Sequence, residues 1–344
     1  MRARLRLPLT LLAGVGILLW VATPANAAIT QSYGPFDVTF YGSGEGVNYG
    51  TGWDFSGAGD QDWTAQQMSD IGAAVDAWDK WIGNEAGRQV NMHVYWYDWT
   101  GSTLGGSYSP QGGDGTTAWV YGEHVWRDGV NYTGGFTVFD TVILLDSTGT
   151  VWNFGSGVPS SSAYDFRSVM THEIGHSVGF WPTYDGDYDD WGWVYGTSSS
   201  PGEGVGYRGL TEWDKNLVEK TAGAENRALS GGAGGTPGDF DETGDVFWDG
   251  ANAVAYYGDL VPIYAPSTYS SGSSLSHLDE ATFGTMLMTP AIGAGQYTRE
   301  LSTLELAMMQ DMKWNVVPEP GSVIVFGGLF GSFLVWHRRR KRPA

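Results

Sequence analysis

The sequence predicts a fold that mixes strands and helices and has a loop-rich second half. Three observations carry this expectation: a strand, helix, strand order in the first half, a capped mid-chain helix with two histidines four residues apart, and a long Gly-, Ser- and Asp-rich stretch after it. Residues 36–41, FDVTFY, alternate apolar and polar as a half-buried strand does. Thr64 and Gln67 form a capping-box pair ahead of Met68, Ile71, Val75, Trp78 and Ile82, whose helical spacing predicts a helix over 64–82 with its apolar stripe in the core. Gln89 to Trp99 places Val90, Met92, Val94 and Trp96 on one face of a strand, and shorter strands are expected at 117–121 and 136–145. Ser162, with Asp165 three residues on, predicts the cap of a helix over 163–179. Beyond Gly179 the patterning fades through Gly231–Gly238 and Ser267–Ser274, until Ser302 and Glu305 cap a closing helix at 303–312 that ends near Trp314.

The 344 residues suffice for one large domain or two small ones with a substantial core. Asp and Glu number 38 against 18 Lys and Arg, a formal charge of −20, and eight of the basic residues sit in the two terminal segments described next. The body of the chain is therefore strongly acidic, which suits solubility and cation binding and argues against nucleic acid as a partner. Cysteine is absent, so neither disulfides nor thiolate zinc sites are available. With 52 Gly, 17 Trp and 18 Tyr, aromatic packing rather than covalent staples must hold the body together.

Residues 1–27 read as a signal peptide: Arg2, Arg4 and Arg6 open it, Leu7 to Ala22 form the apolar stretch, and Ala25-Asn26-Ala27 is an A-x-A cleavage site. At the other end, within 317–344, Pro318-Glu319-Pro320 precedes an apolar run from Gly321 to Trp336, then His337 and the basic cluster Arg338-Arg339-Arg340-Lys341-Arg342. This order resembles the PEP-CTERM sorting tail of Gram-negative bacteria. The resemblance implies a transient stay in the inner membrane, removal of the tail by an exosortase-type processing enzyme, and a final place at the cell surface, in the outer envelope or in the extracellular matrix. An ordinary transmembrane anchor is the alternative, although the apolar run is short for a span.

His172-Glu173-Ile174-Gly175-His176 is the strongest chemical signal. A spacing of four on a helix puts both imidazoles on one face, where they can share a metal ion, and sets Glu173 beside it. A carboxylate in that place can take a proton from a water that the metal has acidified and pass it on to a leaving amine.

The motif continues as Ser177-Val178-Gly179-Phe180, so that HEIGHSVGF resembles the metzincin clan of zinc proteases. That resemblance implies that Gly179 ends the helix and lets the chain turn sharply below the metal. The usual third histidine would fall at Pro182, which cannot bind zinc. Far downstream, Ser276-His277-Leu278-Asp279-Glu280 precedes Thr285-Met286-Leu287-Met288-Thr289-Pro290, an arrangement similar to the leishmanolysin branch of the clan. The branch separates the glycine turn from the third histidine by an insertion, which implies His277 as the third zinc ligand and Met288 as the Met-turn residue. By residue type alone, His277 could equally be a surface histidine in a polar loop, and Met288 ordinary core. The implied fold is α+β: a metzincin-like zincin over 28–316, with a twisted mixed sheet and helices in an upper subdomain, 28–179, and an irregular, loop-rich lower subdomain, 180–316, closed by a helix. The implied activity is zinc-dependent cleavage of protein or peptide substrates.

Weaker features complete the expectations. Phe247-Trp248-Asp249-Gly250-Ala251-Asn252-Ala253 resembles the FxGxNA segment of related proteases, which makes Phe247, Gly250 and Asn252 candidates for the substrate cleft against an ordinary aromatic turn. Asp185, Asp187, Asp189 and Asp190, or Asp239, Asp241, Glu242 and Asp245, are candidates for calcium, though no EF-hand pattern is present. His93 belongs on a sheet face and His124 in a loop after a strand, neither with a strong claim on the metal. Two rival functions stand: a surface or matrix binding protein on a scaffold that no longer cuts, and a zinc hydrolase of non-peptide amides.

Overall fold

The computed structural model describes residues 28–48, 54–82, 87–113, 116–130, 139–183, 209–221, 224–227 and 242–317. Residues 1–27 and 318–344, on which the signal-peptide and sorting-tail expectations fall, the glycine run 231–238 and the aspartates at 185, 187, 189, 190, 239 and 241 lie outside the described residues. Among the described residues, no helix is long and apolar enough to cross a membrane.

The architecture is mixed α+β. Strand β1 (Ile29–Tyr33) turns back through Gly34 and Pro35 into β2 (Phe36–Tyr41), with Tyr33 opposite Phe36. Helix α1 (Ala65–Ile82) follows, and its expected cap is present: the Thr64 N–H donates to Gln67 Oε1 at 2.8 Å and the Gln67 N–H to Thr64 Oγ1 at 3.3 Å. This helix is the crossover that lets β3 (Val90–Tyr97) run parallel to β2. Next come β4 (Gly105–Tyr108), β5 (Gln111–Gly113), β6 (Thr116–Val120), α2 (Tyr121–Asp128) and β7 (Thr141–Asp146). The main sheet has the order β1-β2-β3-β7-β4, with β4 antiparallel to β7 at the edge.

Strand β3 is buried on both faces. Val90, Met92, Val94 and Trp96 join the main core under the helices, while Tyr95 packs with Tyr41, Phe139, Val142 and Leu144 on the other side. A central strand between parallel neighbours is covered on both sides, which is why its alternation predicts only half of its burial. His93 lies on that second face, buried, with its Nδ1 3.3 Å from the Tyr41 hydroxyl. His124 stands on α2, a helix where a loop was expected.

Two short strands, β8 (Trp152–Asn153) and β9 (Tyr164–Asp165), precede α3 (Phe166–Ser177). The cap of α3 is Asp165, not Ser162. Tyr164 and Asp165 pair with Trp152 and Asn153, which keeps the chain extended through 165, and the Asp165 side chain accepts from the Ser168 N–H at 2.9 Å. The same carboxylate takes Arg299 Nε at 2.8 Å and Nη2 at 2.5 Å, tying the start of α3 to the loop before the last helix. Helix α1 braces α3 from the side, where Trp78 Nε1–H donates to the Thr171 carbonyl at 2.8 Å.

The second half holds more structure than its sequence suggests. After β10 (Gly209–Leu210) come β11 (Leu217–Thr221), β12 (Ala224–Arg227), β13 (Val246–Trp248), α4 (Ala251–Tyr257) and β14 (Val261–Pro262), and the last four strands form a sheet ordered β12-β11-β13-β14. One helical turn, α5 (Glu280–Phe283), and α6 (Thr303–Asp311) close the fold, and the Ser302–Glu305 capping box is formed as expected. The larger of the two apolar clusters runs from Phe36 of β2 to Trp314 beyond α6.

Asp165 supplies the first test. Burial pushes its carboxyl up, but the hydrogen bonds from Arg299 and Ser168 outweigh that and hold it below its ordinary value. Its contribution to stability is therefore fully present above about pH 3.9, the unfolded value, and is lost as pH falls through the depressed folded value. Replacing Asp165 by Ala removes the cap and takes its carboxylate partner from a half-buried guanidinium that still donates to the Ser156 and Gly157 carbonyls, for an expected loss of about 1–3 kcal/mol at neutral pH. Urea unfolding of wild type and variant between pH 2 and 7 checks this: the two curves should converge at the acid end, and parallel curves would show that Asp165 does not carry the effect.

Candidate metal centre

Helix α3 presents His172, Glu173 and His176 from successive turns, and the fold brings His277 to them across 105 residues of chain. His172 Nδ1 lies 2.7 Å from the Leu287 carbonyl, His176 Nδ1 2.7 Å from the Phe180 carbonyl, and His277 Nδ1 2.7 Å from the Ser273 carbonyl, with Ser276 Oγ a further 2.8 Å contact. A carbonyl oxygen can only accept, so each Nδ1 must carry the proton. Each Nε2 is then left with a bare lone pair. His172 Nε2 stands 3.1 Å from both His176 Nε2 and His277 Nε2, and all three ligand atoms lie within 4.8 Å of one another.

These short N···N distances are not hydrogen bonds, because neither atom of a pair has a proton to give. Protonating the rings would relieve the clash of lone pairs, but burial opposes that. It pushes His176 down to about 3, with His172 adding to the effect, lowers His277 well below the usual range, with His176 and His172 adding, and lowers His172 as well. Three neutral imidazoles aimed at one point are stabilised by a cation there. Metal–nitrogen bonds of about 2.0–2.1 Å in a tetrahedron set neighbouring nitrogens about 3.3 Å apart, close to the 3.1 Å that separates His172 Nε2 from each of the other two. The three buried or half-buried histidines could thus hold a metal ion, and they are the group of potential ligands that stands out among the described residues.

The turn after α3 explains one of the three carbonyls. Gly179 has φ +122°, a conformation that favours glycine, and the chain folds back so that the Phe180 carbonyl meets His176. Met288 is fully buried beneath the helix: a Cβ added to Gly175 would stand 2.4 Å from its Sδ. The helix can sit on the methionine only because residue 175 has no side chain.

Glu173 is 5% exposed and lines a cleft of about 600 Å³ together with all three histidines. Burial alone pushes its carboxyl up to about 8, and a nearby dication would draw it down again. The four residues of β4 form a wall of this cleft, and at Gly105 a Cβ would come 3.1 Å from Glu173 Oε1. Leu104, Tyr108, Val169, Trp181, Met286 and Ile292 also line it. Glu173 is the single carboxylate in this lining among the described residues, and no Lys or Arg belongs to it.

Phe247, Gly250 and Asn252 are not brought to the cleft. Asn252 donates from N and Nδ2 to Asp311 Oδ1 at 2.9 and 2.8 Å, and a Cβ on Gly250 would collide with Asp311 and Trp248. This segment locks α4 onto α6, while Phe247 lines a small separate hollow with Pro262 and Asp279. The parts of the centre that sequence reasoning missed are mostly main chain: the carbonyls of Phe180, Leu287 and Ser273 have no side-chain signature. The Gly105-Gly106 pair inside a strand was a signal of close approach that could have been used.

No protein-family model and no curated protein sequence matches this chain.

Cobalt titration of the purified protein checks the metal reading. Wild type should take up about one equivalent and give the intense visible bands of a tetrahedral nitrogen site, while His172→Ala, His176→Ala or His277→Ala should each lose at least 100-fold in affinity. Unchanged binding by His277→Ala would exclude that residue as a ligand.

Proposed function

We propose that the chain is an exported, metzincin-like zinc endopeptidase in which His172, His176 and His277 hold the metal and Glu173 is the general base. The observation that carries this reading is the convergence of three Nε2 lone pairs beside a buried carboxylate, on the floor of a cleft walled by an edge strand. The donor set fits zinc: three neutral imidazoles without thiolate suit a catalytic rather than a structural site and leave a position open. When bound, zinc supplies Lewis acidity, acidifying water and polarising a carbonyl.

The remaining steps belong to the protein. Glu173 accepts the proton of the attacking water and hands it to the amine as the peptide bond breaks, a role that needs a carboxylate within reach of both. Among the described residues strand β4 ends the order of the main sheet and walls the cleft, so an extended peptide could bind beside it as a further strand. That edge favours a peptide over a small amide, which has no backbone to pair with it. Apart from Glu173, the lining among the described residues carries no Asp, Glu, Lys or Arg, which favours uncharged side chains next to the scissile bond, because a charge buried there finds no partner. Export through residues 1–27 and sorting through the tail at 317–344 belong to the same proposal.

The decisive comparison is wild type against Glu173→Ala on casein and on a peptide library. The variant should keep its zinc and lose about 10²–10⁴ in kcat. Full activity in the variant would remove Glu173 from the chemistry, and zinc binding without cleavage of any peptide would point to the binding-protein alternative. In the library, peptides with Asp, Glu, Lys or Arg on both sides of the bond should be cut at least about tenfold less efficiently than those with apolar residues.

A further inference from the structure

We infer that Glu305 positions the metal centre: from the first turn of α6 its carboxylate holds the Leu287–Met288 turn, and through that turn it acts on all three histidines. This rests on the reading that the histidines hold a metal, and not on proteolysis.

As a helix cap, Glu305 needs only one oxygen. Its Oε2 accepts from the Ser302 N–H at 2.6 Å while its own N–H donates to Ser302 Oγ at 3.2 Å, which closes the capping box. The second oxygen points away from the helix. Oε1 accepts from the Met288 N–H at 2.8 Å, and the Leu287 N–H also interacts with the carboxylate. Glu305 is fully buried, so this arrangement satisfies a carboxylate that water cannot reach.

The two residues held in this way touch every ligand or its neighbour. The Leu287 carbonyl takes the Nδ1 proton of His172 at 2.7 Å. The Met288 carbonyl takes the N–H of Leu278 at 2.8 Å and so pins the backbone next to His277. The Met288 side chain fills the space under Gly175, the residue before His176. A shift of the turn by a few tenths of an ångström would move all three Nε2 atoms relative to one another, and groups that orient ligands in this way commonly change metal affinity by about 10–100-fold when altered.

The test compares Glu305→Gln with Ser302→Ala in the full chain. The glutamine keeps the size of the side chain but turns an N–H₂ toward one of the N–H donors, whereas Ser302→Ala removes only the helix-capping hydroxyl. Both variants should lower the unfolding midpoint. Only Glu305→Gln should weaken zinc in competition with a chromogenic chelator, by about 10–100-fold, and shift the cobalt absorption bands, with Ser302→Ala staying within about twofold of wild type. If Glu305→Gln does not fold, Glu305→Asp, which keeps the charge but shortens the reach, carries the same expectation. Wild-type affinity and spectrum in the Glu305 variant, or an equal loss in Ser302→Ala, would overturn the inference while leaving the metal reading intact. A wild-type protein that binds neither zinc nor cobalt would overturn both.

Discussion

The centre of this structure depends on three hydrogen bonds of one kind, each from the Nδ1–H of a buried or half-buried histidine to a backbone carbonyl. They settle which nitrogen is protonated, and that turns three ordinary rings into three lone pairs facing one point. The acceptors come from separate places: the glycine turn after α3, the methionine turn before α6, and the serine-rich turn before His277. No one of these segments can make the site by itself. Their relative positions must be held to a fraction of an ångström, and the rest of the fold can be understood as what holds them.

That holding is done by groups well away from the ligands. Helix α3 is capped by Asp165, which Arg299 ties to the loop ahead of α6, and is braced from α1 by Trp78. Trp314, past the end of α6, reaches back to the Val178 carbonyl at 3.1 Å, and Arg127 of α2 donates to the Met312 carbonyl at 2.9 Å. Tryptophan suits these places because it fills a large volume and carries one N–H that can satisfy a carbonyl at a helix end. A chain without cysteine and with 17 tryptophans thus obtains from aromatic packing the rigidity that disulfides supply elsewhere. The site itself works against stability, since a carboxylate and three imidazoles are buried with their preferred charge states opposed.

Where the pattern was periodic and locally capped, the structure follows it. Strand β2, helix α1, strand β3 and helix α6 fall within a few residues of expectation, because alternation and capping boxes are local properties of the chain. The departures have identifiable causes. Ser162 and Asp165 are both good caps three residues apart, and the choice between them is made by the pairing of Tyr164 and Asp165 with β8, a contact the helix pattern does not contain. Helix α2 is short and rich in aromatic and polar residues, and burial of Val125 and Trp126 against the core decides it rather than propensity. Strand β11 pairs with β12 next to it in sequence but also with the distant β13, Val218 standing opposite Phe247, so little in either of those two announces the sheet they form.

What the sequence determined by itself is the chemistry of one helix face: His172 and His176 share it because four residues make roughly one turn, Glu173 stands at its edge, and that geometry needs no partner. Gly179 at the end of the same helix was legible for a similar reason, since a left-handed turn favours glycine wherever it occurs. Resemblance of motif pointed to His277 and Met288, but residue type left both open, and only the tertiary structure sets His277 beside the other two histidines, Met288 under Gly175, and Gly250 and Asn252 in the packing of α4 on α6. The physical reason is the same in each case. Spacing along a helix is encoded residue by residue, whereas the meeting of distant segments, and above all the choice of backbone carbonyls as partners, depends on packing that no single stretch of sequence contains.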